Sequence, residues 1–281
     1  MKLKYMGTAA AEGLPGLFCE CENCRRSREL GGRNIRSRSQ AVVDNALLID
    51  FPADTFMHFI NNNLPLTKIK HCIITHSHAD HLYPKDLAMR KKGYSNIFED
   101  NSPITFYADA VAFNMIAETK GANYIKDEEM QVKKINAFVP FMAGEYKVTP
   151  LRANHSEITT PLIYLIEKDG KSLLYGHDTG LFTDETMAYL KNIEKPINLI
   201  SLDCTSGCNP TDPNGYGGHM NVDDCEYMRE ELKKIGAADE STIFVLNHFS
   251  HNAKNVVYDD FSKIAKEKGF ETSYDGMEIE F

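Results

Sequence analysis

The sequence predicts an α/β domain, residues 1–281, in which two β-sheets pack face to face with helices outside. Three observations carry that reading. Apolar runs of strand length alternate with helical stretches, and no long linker interrupts them. Turn pairs at Asp44-Asn45 and Asp169-Gly170 each join two such runs into a hairpin. Finally, 42% of the 281 residues are apolar, enough for a large core.

The elements follow in order. Lys2 to Met6 reads as the first strand, ahead of Gly7-Thr8-Ala9-Ala10, and Ala41 to Asp50 as a hairpin. Asp54 to Asn62 reads as a helix with Phe56, Phe59 and Ile60 on one face. Ile69 to Thr75 is a buried strand, and Pro84 opens a helix to about Lys92. Ile104 to Tyr107 is a strand and Ala110 to Lys120 a helix. Val132 to Val139 and Tyr146 to Ala153 are strands, and Pro161 to Glu167 pairs with Ser172 to Tyr175 as a hairpin. Glu185 to Asn192 is a helix, Ile197 to Cys204 a strand, and Thr205 to His219 a loop rich in Gly, Pro, Asn and Asp. Val222 to Lys234 is a helix, Thr242 to Leu246 a strand and Asn252 to Lys268 the final helix.

Composition narrows the function. The net charge of −9 makes the chain a poor non-specific ligand for nucleic acid. No apolar run approaches the ~20 residues of a transmembrane helix, so no membrane partner is expected. Met1 to Gly7 carries lysines and is too short for a signal peptide. Seven cysteines, three of them crowded together, argue against a disulfide framework and for a reducing, cytoplasmic setting.

The chemistry concentrates in His76-Ser77-His78-Ala79-Asp80-His81, directly after a buried strand. Three imidazoles and a carboxylate in one loop lose solvation on folding, and a borderline divalent cation repays that cost. Further ligand types follow strand ends: His155 in Asn154-His155-Ser156, Asp178 in Gly176-His177-Asp178, and His248 in Asn247-His248-Phe249. Strand ends converge on one sheet edge, so these residues can meet. The expected centre holds two divalent ions, zinc, manganese or iron. His76, His78 and His155 face one ion, Asp80, His81 and His248 the other, and Asp178 bridges both. Two ions at the usual separation of about 3.5–4 Å acidify a shared water, and the hydroxide then attacks an electrophile in line.

Cys19, Cys21 and Cys24 stand in C-x-C-x-x-C spacing, within a loop at about 17–26. Such thiolates suit a closed tetrahedral zinc site, and His251, three residues after His248, is the best fourth ligand. Arg25, Arg26, Arg28, Arg33, Arg36 and Arg38 form a basic run, read as a solvated helix face and loop. A platform for a second phosphate is the sharper alternative.

The H-x-H-x-D-H loop and the downstream ligands resemble the metallo-β-lactamase superfamily, which implies a four-layer αββα sandwich with metals at one edge. Asp50, in Leu47-Leu48-Ile49-Asp50, matches the position that braces the histidine loop from behind, and His177 either does likewise or simply packs. The thiol triplet, the H-x-x-H of His248 and His251 and the closing Asp275-Gly276-Met277-Glu278-Ile279 are similar to the carbon–phosphorus lyase accessory phosphodiesterases of the PhnP type. That resemblance implies hydrolysis of a small cyclic phosphodiester, such as 5-phosphoribosyl 1,2-cyclic phosphate or a 2′,3′-cyclic nucleotide. It further implies a homodimer and a catalytic histidine before a helix, here His219 as general acid, alongside the centre's carboxylates Asp80 and Asp178. A histidine that merely caps the following helix is the plainer reading of His219. The chain departs from that family in the longer loop Asn209 to Gly218 and in an insert around Tyr94 to Asn101. Three alternatives remain: a tRNA 3′-processing endonuclease, a thioester or lactone hydrolase, and a non-catalytic carrier resembling the pyrroloquinoline-quinone accessory B proteins.

Overall fold

Seven strands form one sheet in the order β14-β1-β2-β3-β4-β5-β6: β1 (Lys2–Gly7), β2 (Gln40–Val43), β3 (Leu47–Ile49), β4 (His71–Ile73), β5 (Ile104–Ala108), β6 (Met130–Lys134) and β14 (Glu278–Glu280). Seven more form the second, in the order β13-β12-β11-β10-β9-β8-β7: β7 (Phe141–Ala143), β8 (Tyr146–Arg152), β9 (Leu162–Lys168), β10 (Lys171–Gly176), β11 (Leu199–Asp203), β12 (Ile243–Asn247) and β13 (Glu271–Thr272). This computed structural model describes residues 1–96, 103–156, 158–212 and 218–281. Part of the Tyr94 to Asn101 insert and residues 213–217 of the glycine-rich loop lie outside them.

Each sheet is half antiparallel and half parallel. β14, β1, β2 and β3 run antiparallel in turn, and β3 to β6 run parallel. β7 to β10 run antiparallel, and β10 to β13 parallel. The hairpins close where the sequence places them. Asp44 and Asn45 sit at φ 49° and 56°, and Asp169 and Gly170 at 51° and 74°, the left-handed pairs that a tight hairpin needs. Parallel neighbours need crossovers. Helices α1 (Glu22–Leu30), α2 (Thr55–Asn61), α3 (Ala110–Ala122), α4 (Asp184–Leu190), α5 (Val222–Lys234) and α6 (Tyr258–Glu267) lie among the connections.

Strand alternation makes the layers. Leu3, Tyr5, Val43 and Ile49 from the first sheet meet Val148, Tyr164, Tyr175 and Val245 from the second in a shared core. The opposite faces carry Met6, Leu48 and Phe106 against Ala112 and Ile116 of α3, and Leu174, Ile200 and Leu246 against Cys225, Met228 and Phe261 of α5 and α6. The result is the αββα sandwich.

The structure corrects several expectations. Phe56, Phe59 and Ile60 of α2 face solvent, while Thr55 and His58 are buried. Hydrogen bonding decides this: Gln40 Nε2 donates to Thr55 Oγ1, and Gln40 Oε1 lies 2.7 Å from His58 Nδ1. The segment from Pro84 to Arg90 is 3-10 helix, and α6 begins only at Tyr258. The strand expected over Val132 to Val139 ends at Lys134, and β7 follows at Phe141–Ala143.

The Asp275 segment clamps both chain ends. Thr8 Oγ1, Ser37 N and Ser37 Oγ all lie within hydrogen-bond reach of its carboxylate, at 2.6, 2.7 and 2.5 Å. Proton counting here is tight. Gln40 Nε2 donates to Asp50 O, so Gln40 Oε1 faces His58 and His58 Nδ1 must carry the hydrogen. With burial holding His58 near pKa 4, Ser37 Oγ has one proton for two acceptors, His58 Nε2 at 2.7 Å and Asp275 Oδ2. Burial pushes Asp275 up to about 6, against its donors and Arg36. A carboxyl whose folded pKa is raised stabilises fully below its unfolded pKa and loses that contribution as pH rises through 6. Asp275→Asn is therefore expected to gain about 1–2 kcal/mol relative to the parent between pH 4 and pH 7, after allowance for partial exposure. Urea titrations of both proteins across that range check it. A pH-independent difference sinks the reading.

Candidate metal centre

The ligand candidates sit in loops that follow strand ends on one edge of the sandwich. The His76 loop follows β4, His155 follows β8, Asp178 follows β10 and His248 follows β12. His76 Nε2 lies 2.9 Å from His78 Nδ1, and His155 Nε2 3.3 Å from the same atom. Asp178 Oδ2 approaches His76 Nε2 and His81 Nε2 at 3.1 Å each, and its Oδ1 lies 3.5 Å from His155 Nε2. Asp80 Oδ2 is 3.3 Å from His81 Nε2. Three donor sets result, His76, His78, His155 and Asp178, then Asp80, His81, Asp178 and His248, then Asp178, Asp203, His219 and His248, with donor atoms in each set within 4.8 Å of one another. All three share Asp178, and the first two bring together the residues that the sequence assigned to two ions.

The donors fit divalent cations. Nε2 of His81 and Nε2 of His248 are buried without a hydrogen-bond partner, although Asp178 Oδ2 lies 3.1 and 3.9 Å away. Buried polar atoms left so are costly unless something takes their lone pairs. Burial also favours the neutral imidazole that a ligand must be: it lowers His76, and lowers His155 to about 4. The carboxylates behave oppositely. Burial raises Asp178 and Asp80, but the surrounding imidazoles outweigh it and hold both below the usual carboxylate range.

Braces stand behind the ligands. Asp50, at φ 67°, accepts from Thr75 N–H and places Oδ2 2.7 Å from His81 Nδ1. His177 packs instead of bracing a ligand: it bonds Ser201 Oγ at 2.6 Å and Asn247 Nδ2 at 3.0 Å. The sequence reading missed Asp203. This buried carboxylate accepts from Asp178 N–H, Thr205 N–H and Met220 N–H, and lies 3.2 Å from His219 Nδ1. It occupies a strand end exactly as Asp178 does, and that position was the available signal. His219 is partly exposed, its side chain 26% accessible and its Nδ1 3.4 Å from Asp178 Oδ1. Burial lowers its pKa, but Asp203, Asp178 and Asp80 outweigh that and push it up to about 9.

The thiol loop forms a separate group. Cys19 Sγ and Cys21 Sγ lie 3.4 and 3.6 Å from His251 Nδ1, and Cys24 Sγ completes a set within 4.8 Å. A tetrahedron with Zn–S near 2.3 Å and Zn–N near 2.05 Å has S···N edges of about 3.6 Å, so the spacing fits. Gly16 makes room for it, since a Cβ there would fall 2.8 Å from the His251 ring. Burial pushes the Cys24 thiol up to about 12, so a cation must displace its proton.

The arginine run is not one surface. Arg36 is buried, donating to Thr8 Oγ1 and Ser273 O and lying 4.2 Å over Phe249. Arg38 pairs with Asp54, Arg26 with Asp260, Arg28 with Glu20, and Arg33 stacks on Tyr274. The solvated reading holds for Arg25, Arg28 and Arg33, which are exposed, and fails at Arg36.

Among the described residues no helix is long and apolar enough to cross a membrane. No curated protein sequence matches the chain. Solved structures share its fold at low identity. Zinc-bound PqqB from Methylobacterium extorquens is 16% identical with TM-score 0.76, over 100% of both chains. A diphosphatase of the PhnP family is 20% identical with TM-score 0.70, over 100% of this chain and 97% of that one. The short form of human tRNase Z is 17% identical with TM-score 0.65, over 100% and 99%. Residues 46–249 match the family model of the beta-lactamase superfamily domain, so the chain belongs to that superfamily, and its strand ends gather the histidine and carboxylate set of a metal-dependent hydrolase.

Proposed function

We propose that the protein hydrolyses a small cyclic phosphodiester, of the 5-phosphoribosyl 1,2-cyclic phosphate or 2′,3′-cyclic nucleotide type, with two divalent ions. The carrying observation is the pair of donor sets joined through Asp178, with the partly exposed His219 beside them. His76, His78, His155 and Asp178 would hold one ion, and Asp80, His81, His248 and Asp178 the other. When bound, such ions supply Lewis acidity and a water of lowered pKa. Zinc or manganese suits the donors, and iron is accommodated too.

The chain's own residues do the rest. Asp50 keeps the His81 ring turned inward. Nδ1 of His219 faces Asp203 and Asp178, so Nε2, across the ring, is left to meet a leaving oxygen. An alkoxide leaving from a ribose ring needs that proton, whereas a thiolate does not. This favours the phosphodiester over the thioester. The fold shared with a PhnP-family diphosphatase supports phosphorus chemistry, and the acidic balance weighs against a tRNA substrate.

The test is turnover by zinc- or manganese-loaded protein of a 2′,3′-cyclic nucleotide and bis-(p-nitrophenyl) phosphate, beside a thioester, a lactone and a precursor tRNA. Metal-dependent cleavage of the cyclic diester, preferred over the others, is expected. Fully loaded protein that cleaves none of them is the carrier result and ends the hydrolase reading.

The thiol set serves stability. Cys21→Ser should lose a third, structural zinc, keep kcat on the diester, and lower Tm by on the order of 5 °C. Metal analysis and calorimetry check this; a variant that keeps the third ion sinks it.

A further inference from the structure

Three imidazole nitrogens of the centre are buried without a partner, and two of them, on His81 and His248, belong to rings that are held differently. His81 Nδ1 meets the Asp50 carboxylate directly at 2.7 Å. His248 stands at φ 67°, and its Nδ1 lies 3.4 Å from Asp203 Oδ2 but 2.8 Å from Thr205 Oγ1. A hydroxyl therefore stands between that imidazole and its carboxylate.

Proton counting fixes the direction of every link. Asp203 Oδ1 already accepts from Thr205 N–H and Met220 N–H, and Oδ2 accepts from Asp178 N–H. Asp203 is thus an acceptor on both oxygens. Thr205 Oγ1, 2.9 Å from Oδ2, has one proton and gives it to Asp203. Its remaining lone pairs face His248, so His248 Nδ1 must donate. The lone pair then falls on Nε2, which points toward Asp80, His81 and Asp178.

We propose that Thr205 is a positioning residue, whose hydroxyl couples Asp203 to His248 and holds that imidazole in the tautomer with its Nε2 lone pair turned to the second donor set. The proposal rests on the metal-centre reading above for its purpose, though not for its hydrogen bonds. Without the hydroxyl, the ring is free to place a hydrogen on Nε2. That turns a donor toward a space that needs an acceptor. Partners of this kind typically set 10–100-fold in metal affinity.

The experiment uses the full chain with Thr205→Val, Thr205→Ala and Thr205→Ser. Zinc is titrated against a competing chelator, and two-bond proton–nitrogen spectra of histidine-labelled protein report the His248 tautomer in the metal-free state. The Val and Ala variants should bind one of the two catalytic ions about 10–100-fold more weakly and show mixed His248 tautomers. The Ser variant should restore both. A purely volumetric role would instead favour Val over Ser. Parent-like affinity in Val and Ala, or metal-free parent protein with its hydrogen on Nε2, overturns the proposal. If the parent bound no ion, the metal-centre reading would fall, while a Val-dependent tautomer change would still uphold the Thr205 link.

Discussion

Asp178→Asn is expected to empty both catalytic sites at once, whereas Asp80→Asn empties only one. The argument is geometric. Asp178 is the only residue common to the two donor sets, and its carboxylate approaches His76, His81 and His155 within 3.5 Å. Removing one partner from a buried charge network leaves the others uncompensated, which costs about 3–5 kcal/mol. That corresponds to roughly 10²–10⁴ in binding at each set. Asn is the informative replacement because Asp178 sits at φ 57°, where Asn is tolerated and Ala is strained. The backbone anchor, Asp178 N–H to Asp203, also survives. Metal analysis of purified protein should then find only the thiol-bound ion in Asp178→Asn, with diester turnover lost alongside. Loss of one ion and retention of the other would show that Asp178 does not bridge.

Much of this centre was legible because its chemistry is dense. Four ligand side chains in six residues cannot be arranged by chance packing, and strand-end positions supplied His155, Asp178 and His248. Asp203 ends its strand but stands beside no histidine, so it read as the tail of that strand. Its role lies in accepting backbone N–H groups of Asp178, Thr205 and Met220 from two separate loops, which no local pattern encodes. Arg36 failed for a related reason. Arginines in a run read as solvated, yet Phe249 and Tyr258, more than 200 positions away, provide the aromatic faces that cover it. In α2 the periodicity was present but buried the wrong side, because polar partners Gln40 and Ser37 outcompeted the apolar stripe. Strands β13 and β14, two and three residues long, are too short to show a period.

Leaving-group chemistry separates His219 from the ligands around it. His219→Ala should lower turnover of a cyclic ribose diester by about 10²–10⁴ while metal content stays at the parent value. The same variant should lose far less on bis-(p-nitrophenyl) phosphate, since a nitrophenolate departs without a proton. A histidine that served as a metal ligand would instead damage both substrates and the metal count together. One that merely capped a helix would damage neither, and Asn221 already fills that place: its side chain accepts from Asp224 N–H at the start of α5. Asp203 is the carboxylate contact that would remain to His219, because Asp178 and Asp80 would spend their charge on bound cations. Asp203→Asn should therefore reproduce the leaving-group pattern in milder form, with some loss of metal through Thr205. Equal losses on both diesters in His219→Ala would remove the general-acid role and leave His219 as a member of the donor set with Asp178, Asp203 and His248.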